Sequence, residues 1–285
     1  QFAAAQHSVV LLSRNPSVVD TSQWPNVQVV KWDGRTPGAW YSEIEGADAI
    51  INLAGESIGG KRWTSKQKQK ILESRVNATR ALIESINRAK KKPPVLINGS
   101  AVGYYGHVES EDVTESHARG NGFLAEVCEA WERVALAARQ YGTRVVLLRT
   151  AVVIGEGSVA LEKLSLPFKL YVGGPVGSGK QWFPWIHVND VVRVIQFAIE
   201  SESISGPLNL AAPEPVTMKQ FCQVLGKAMR RPSWAPVPGF VLKIALGEMS
   251  SMILTGQKVV PSKLLQHGYS FIFPKLDDAL AGIFS

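Results

Sequence analysis

Asp48-Ala-Ile-Ile-Asn-Leu-Ala-Gly-Glu56 and Val95-Leu-Ile-Asn-Gly-Ser-Ala-Val-Gly-Tyr-Tyr-Gly106 are the two stretches that decide the fold. Each begins apolar and runs out into glycine and polar side chains. A strand covered on both faces of a parallel sheet is continuously apolar rather than alternating. Ligands of open α/β sheets bind at the carboxyl ends of such strands. The two runs therefore predict a parallel sheet and also the edge where its site lies.

The surrounding sequence keeps the same rhythm. Val9–Leu12, Val27–Trp32 and Val145–Leu148 are further apolar, β-branched runs. Between them, Thr64–Ala89 places Ile71, Leu72, Val76, Ala78, Leu82, Ile83 and Ile86 at helical spacing. Phe123–Tyr141 does so with Leu124, Val127, Cys128, Trp131, Val134, Ala135 and Ala138. Alternating strands and helices predict an α/β fold with a Rossmann-type doubly wound parallel sheet and right-handed crossovers. After Arg149, glycines and Pro184 break the rhythm. A helix is expected at Asp190–Ile199, with Asp190 suited to capping and to the helix dipole. A strand is expected at Pro207–Ala211, a helix capped by Thr217 at Thr217–Met229, and further helices at Phe240–Leu246 and Leu276–Ile283. Residues 1–160 with 185–212 read as the Rossmann domain. Residues 161–184 with 213–285 read as a smaller C-terminal α/β lobe. Phe2-Ala-Ala-Ala5 reads as the end of a helix with no start, so a strand and most of a helix, about 20 residues, are expected before it.

With 285 residues, 45% apolar and 19% charged, the chain can bury a full core. No apolar run reaches the roughly 18 residues of a membrane helix. Cys128 and Cys222 make no disulfide framework, which points to a reduced compartment: cytoplasm in a bacterium, matrix or stroma in a eukaryotic organelle. The net charge of +7 gathers in part at Lys61-Arg62, Lys66, Lys68, Lys70 and Lys90–Lys92. Such a run is a solvated helix face or a field for an anionic ligand. No nucleic-acid motif accompanies it, so no nucleic-acid partner is expected.

Gly174-Pro-Val-Gly-Ser-Gly-Lys-Gln181 nearly matches a phosphate-binding P-loop but carries Gln181 where Ser or Thr would hold Mg²⁺. The preceding Leu166–Tyr171 reads as a helix end more than as a buried strand, so the segment reads as a glycine-rich turn. Trp182–His187 is dense in aromatics, suited to packing between lobes or to a flat ring, with His187 able to exchange a hydrogen bond. The five histidines show no metal-ligand spacing, so no metal site is expected. Arg14 ends the first visible strand; in a nucleotide-binding α/β unit the residue at the end of the second strand meets the ribose 2′ position, where an arginine accommodates a 2′-phosphate and a carboxylate would favour NAD. Ser13 can add a hydroxyl donor.

Asn52-Leu-Ala-Gly55, Gly99–Gly106, Leu148-Arg-Thr150 and Trp185–Asp190 resemble the extended short-chain dehydrogenase/reductase superfamily. Arg62-Trp63, Trp131-Glu132, Gly173–Gly179 and Gly256–Pro261 are similar to its atypical epimerase-like branch, often labelled cell-division-inhibitor-like nucleoside-diphosphate-sugar epimerases. The resemblance spans essentially the whole chain and includes that branch's C-terminal domain. It implies NADP(H) as cofactor, a small-molecule substrate and an N-terminal strand with a glycine-rich turn, which lies outside this numbering. It places Asn52, Leu53, Ala54 and Gly55 along the cofactor, with Arg75 and Ser100 beside it. Gly55 would allow a close backbone approach.

Such relatives use a serine together with a Tyr and a Lys four residues apart on the next helix. Ser100 matches the serine. The Tyr position falls on Leu124 and the Lys position on Cys128; no Tyr occurs between Gly106 and Tyr141, and no Lys between Lys92 and Lys163. Tyr104, Tyr105 and His187 are the candidate substitutes. Three readings follow: an NADP-dependent oxidoreductase or epimerase with a rewired acid/base, a cofactor-dependent regulator with a protein partner and no turnover, and a structural subunit without cofactor.

Overall fold

The structure is a computed structural model and describes residues 1–284. Its strands are β1 (Val9–Ser13), β2 (Val27–Lys31), β3 (Ile50–Asn52), β4 (Val95–Ala101), β5 (Asp112–Val113), β6 (Arg144–Thr150), β7 (Val152–Ile154), β8 (Trp185–His187), β9 (Gly206–Leu210) and β10 (Lys258–Val259). Its α-helices are α1 (Ser65–Arg88), α2 (Phe123–Leu136), α3 (Val159–Lys169), α4 (Val188–Glu200), α5 (Met218–Ala228), α6 (Gly239–Leu246), α7 (Ser251–Leu254), α8 (Ser262–Gln266) and α9 (Leu276–Phe284).

β3, β4, β6 and β9 form a parallel sheet in that order. Its two covered faces explain the continuous apolar runs. Val95 and Ile97 of β4, with Val146 and Leu148 of β6, point to one core and meet Val194, Ile195 and Ala198 of α4. Leu96, Val145 and Leu147 point to the other and meet Ala78, Leu82 and Ile86 of α1 and Ala135 of α2. Each of these Val, Leu and Ile side chains, fully buried, contributes about 1.5–3 kcal/mol, so the helices are held on the sheet by both sets at once. Doubly wound packing of this kind is what the alternation predicted.

β1 and β2 make a separate parallel ladder. Val10 and Leu11 on β1 and Ile51 on β3 are exposed. Residues 1–6 form a hydrogen-bonded turn closed by Gln6 in the left-handed region, φ 65°.

α1 starts at Thr64, whose side chain accepts from Gln67 N, and α5 at Thr217, in a reciprocal capping box with Gln220. A cap of this type contributes about 1 kcal/mol. α4 differs from expectation. Its cap is His187, whose Nδ1 accepts from Asn189 N at 3.2 Å. Asp190 is fully buried and instead accepts from Ile272 N (2.8 Å), Phe273 N (3.0 Å) and the Tyr269 hydroxyl (3.2 Å). A buried carboxylate needs several donors, and the chain before α9 supplies them.

The remaining core joins Leu161 and Phe168 of α3 with Phe183, Trp185, Phe221, Leu225 and Leu280. α3 begins before the helix end that the sequence showed at Leu166–Tyr171. Ser158 caps it, and Pro167 lies near its end. The glycine-rich segment is a turn. Gly177 and Gly179 take positive φ, and a Cβ on Gly174 would lie 2.3 Å from the Ala235 carbonyl oxygen. Gln181 is buried and donates to the Val176 and Ile253 carbonyls, both at 2.9 Å. Among the described residues, no helix is long and apolar enough to cross a membrane.

Candidate functional site

Register assembles the site. Asn52 lies beside Asn98, and Ser100, Arg149 and Asn209 lie side by side across β4, β6 and β9. All five are buried at or near the carboxyl ends of the sheet.

The β3 end is held by polar bonds. Asn52 Nδ2 donates to Asn98 Oδ1 (2.7 Å) and to Thr79 Oγ1 (2.9 Å), and Trp131 Nε1 donates to the same Thr79 oxygen (2.9 Å). One threonine on α1 thereby ties β3 to α2. Gly99 makes room for the Trp131 ring, since a Cβ there would lie 2.6 Å from Cη2. Beyond Asn52, Arg75 secures the segment to Glu56. Its guanidinium donates to the Glu56 and Ile71 carbonyls, both at 3.0 Å, and stacks over Trp131 with Cζ 5.1 Å from the ring centroid. Burial pulls the Arg75 pKa down. The reason for Gly55 is this arginine: an added Cβ would sit 2.9 Å from its Cζ. Leu53 is exposed and Ala54 half-buried. At the end of β1, Arg14 is exposed and makes no side-chain hydrogen bond or ion pair among the described residues. Ser13 Oγ accepts from Asn15 N at 3.2 Å.

A charged network underlies the β4 end. Arg149 Nε and Nη2 grip the two oxygens of Glu132, each at 2.9 Å, and both side chains are buried. Two parallel charge-assisted bonds of this kind fix geometry as well as charge. Ser100 gives its hydroxyl proton to Glu132 Oε1 at 2.6 Å. Arg149 Nη1 donates to the Tyr105 hydroxyl at 3.0 Å, and that hydroxyl donates to Asn209 Oδ1 at 2.6 Å. Arg149 also lies against Tyr104, with Cζ 3.5 Å from the ring centroid.

These bonds divide the candidates. Ser100 has committed its proton and is left an acceptor. Tyr105 is buried with both hydrogen-bonding roles filled, and burial pushes its pKa up to about 12. His187 is the α4 cap, its ring tilted 44° against that of Phe273 with centroids 4.1 Å apart, and burial holds its pKa below the usual imidazole value. Tyr104 is half-buried and its hydroxyl has no partner among the described residues. Leu124 lies against the turn that carries Tyr104: a Cβ on Gly103 would approach its Cβ to 3.1 Å. Cys128 Sγ is 3.7 Å from the Ala101 carbonyl, and burial pushes the thiol up to about 11, so it stays protonated at neutral pH. The Glu132–Arg149 pair went unassigned in the sequence. Its signal was an acid inside the apolar stripe of α2 and an arginine closing an apolar strand. Among the described residues no cluster of His, Cys, Asp or Glu could hold a metal.

A parallel, doubly wound sheet with a polar carboxyl edge defines a Rossmann-type α/β protein. Residues 1–211 match the NAD dependent epimerase/dehydratase family, and residues 237–283 match a domain of unknown function, DUF1731. The chain belongs to the NAD dependent epimerase/dehydratase family. It is 43% identical over 278 residues to the epimerase family protein YfhF of Bacillus subtilis, covering 96% of this chain and 89% of that protein. It is 38% identical over 289 residues to the Arabidopsis thaliana chloroplastic homolog of epimerase family protein SDR39U1, covering 99% and 81%. Among solved structures it is similar to human epimerase family protein SDR39U1 (isoform 2) with NADPH: TM-score 0.87, 33% identity, 99% of this chain and 92% of that one.

Proposed function

We propose that this chain binds NADP(H) across the carboxyl ends of β1 and β3 and serves an oxidoreductase- or epimerase-type reaction at the end of β4. The observation that carries this reading is Arg14, an exposed cation without a partner among the described residues, standing where the fold brings a ribose 2′ position. The human relative solved with NADPH supports the same choice of cofactor. Arg14 and Ser13 take the 2′-phosphate, and Asn52, Leu53, Ala54 and Gly55 form the edge. Arg75 positions that edge by holding Glu56. The dinucleotide supplies hydride transfer when bound.

Ser100 orients substrate as a hydrogen-bond acceptor, its own proton held by Glu132. Tyr104 exchanges the proton with the substrate oxygen. Arg149 provides the positive charge beside it, the service a lysine gives in relatives that keep the Tyr–Lys pair. Tyr105 and His187 hold the fold in this reading. A second reading, cofactor binding without turnover, draws on the same bonds, because Ser100, Tyr105 and His187 all have their protons engaged or withheld.

The experiment is a fluorescence titration with NADPH and NADH, followed by NADPH oxidation across carbonyl compounds and nucleotide sugars. NADPH should bind the more tightly, and Arg14→Asp should cost it about tenfold or more. Unchanged selectivity in that variant refutes the phosphate assignment. Binding without oxidation on any substrate selects the second reading.

A further inference from the structure

Gln257 lies 155 residues beyond Val102 in sequence, yet its side chain is buried against the site. Its Nε2 donates to the Val102 carbonyl at 2.6 Å. Val102 opens the 3₁₀ turn Val102–Tyr105, which carries both tyrosines. A buried amide is costly unless it is bonded, so this donation is what suits a glutamine to the position. Across the turn, Gly120 N donates to the Tyr104 carbonyl at 3.0 Å.

The C-terminal segment reaches the turn by running beside the loop that leads from it to α2. Val108 N donates to the Gly256 carbonyl at 3.2 Å. β5 pairs in parallel with β10, Asp112 beside Lys258 and Val113 beside Val259, and Val260 N donates to the Val113 carbonyl at 3.0 Å. Beyond β10, the buried Glu115 carboxylate accepts from Lys263 N and from Asn209 N, both at 3.2 Å. The Val260 carbonyl accepts from Asn209 Nδ2 at 2.9 Å, and Asn209 is the acceptor for the Tyr105 hydroxyl. Gly256 lies hard against the backbone, since a Cβ there would be 1.8 Å from the Trp182 carbonyl oxygen. Residues 256–263 thus bond to the turn, to its loop and to β9, and they fall within the match to the domain of unknown function.

We infer that residues 256–263 complete the site, and that Gln257 is a positioning residue for Tyr104: its amide fixes the Val102 peptide and, through the turn, the place of the Tyr104 hydroxyl. This rests on the reading in which Tyr104 exchanges the proton. The peptide unit is planar, so a carbonyl held in place sets the direction in which the chain enters Gly103 and Tyr104. Misplacing a reacting group by about 1 Å can cost on the order of 100-fold in rate.

The test labels the full-length protein with 3-fluorotyrosine and reads it by ¹⁹F NMR, the Tyr104 signal being assigned with Tyr104→Phe. Gln257→Met keeps the shape of the side chain and removes its donor. Of the six tyrosines, Tyr104 and Tyr105 should change resonance, and Tyr41, Tyr141, Tyr171 and Tyr269 should not. Amide hydrogen exchange over residues 102–106 should rise about tenfold or more. Leu280→Ala, in the core cluster away from the turn, is the control and should lower Tm with neither effect. If Gln257→Met does not fold, Gln257→Asn, whose amide falls one methylene short, should show the same two effects. On any substrate found by NADPH oxidation, Gln257→Met should lower kcat about tenfold or more while KM and NADPH affinity stay within about twofold. An unmoved Tyr104 resonance with unchanged exchange, equal effects in Leu280→Ala, or a raised KM at unchanged kcat would each overturn the inference. Turnover retained in Tyr104→Phe would refute the chemical reading alone, because the resonance and exchange changes do not depend on it.

Discussion

Arg149→Met removes the cation at the centre of the buried network. In the native chain Arg149 and Glu132 are both almost fully buried and joined by two bonds of 2.9 Å. The substitution leaves Glu132 in place with only the Ser100 hydroxyl as donor. Breaking a buried pair from one side costs about 3–5 kcal/mol, chiefly because the surviving charge is uncompensated. For a protein of this size that lowers Tm by about 6–15 °C. Replacing both partners, Glu132→Gln with Arg149→Met, removes the stranded charge. The amide oxygen still accepts from Ser100, and such double replacements are near neutral. The double variant should melt within about 3 °C of the parent. The assay is thermal unfolding by circular dichroism at pH 7 on the parent, both single variants and the double. If Arg149→Met costs under about 1 kcal/mol, or the double costs as much as the single, the pair is not held as an ion pair in a desolvated site and the reasoning fails.

Gly99→Ala should destabilise by about 1–3 kcal/mol, because its Cβ would press within 2.6 Å of a Trp131 ring already pinned by Thr79; Gly99→Ala should cost less in a Trp131→Phe background, and an equal cost in both would dismiss the clash. His187 supplies a pH dependence. Burial depresses its pKa below 6.5, so the unfolded chain binds the proton more readily, and stability is lost as pH falls below about 6.5. Melting between pH 7.5 and 5 should show a smaller acid loss in His187→Asn, whose amide can still cap α4, and parallel curves would contradict the assignment. Tyr104→Phe should abolish any hydride transfer while leaving NADPH affinity within twofold, and retained turnover would remove Tyr104 from the chemistry.

The sheet was legible because both faces of β4 and β6 are covered, which leaves an apolar residue at every step from Val95 to Ile97 and from Val145 to Leu148. α1 and α5 were legible to within a residue or two, since a threonine cap precedes each periodic run. α3 was legible only at its end. Its outer face, Val159, Leu166 and Leu170, is apolar too, so the two-sided contrast that marks a helix is weak there. The short parallel pair β7–β8 joins residues about thirty apart and is set by tertiary packing, beyond any local signal. At the site, Ser100 and the two tyrosines could be named from the strand end. Their division of labour could not, because the partners of Ser100, Tyr105 and Arg149 come from α2, β6 and β9, brought together only by register. The capping role of His187 was hidden for a related reason: Asp190, the better cap by residue type, is drawn away to bind residues 269–273.

The account stands or falls on where the two ends of the dinucleotide lie. A crystal structure of the full-length protein with NADPH measures this directly. The account predicts the 2′-phosphate within hydrogen-bonding distance of Arg14 and the nicotinamide at the end of β4, beside Ser100 and Tyr104. A 2′-phosphate away from Arg14, or a nicotinamide remote from Tyr104, would contradict it.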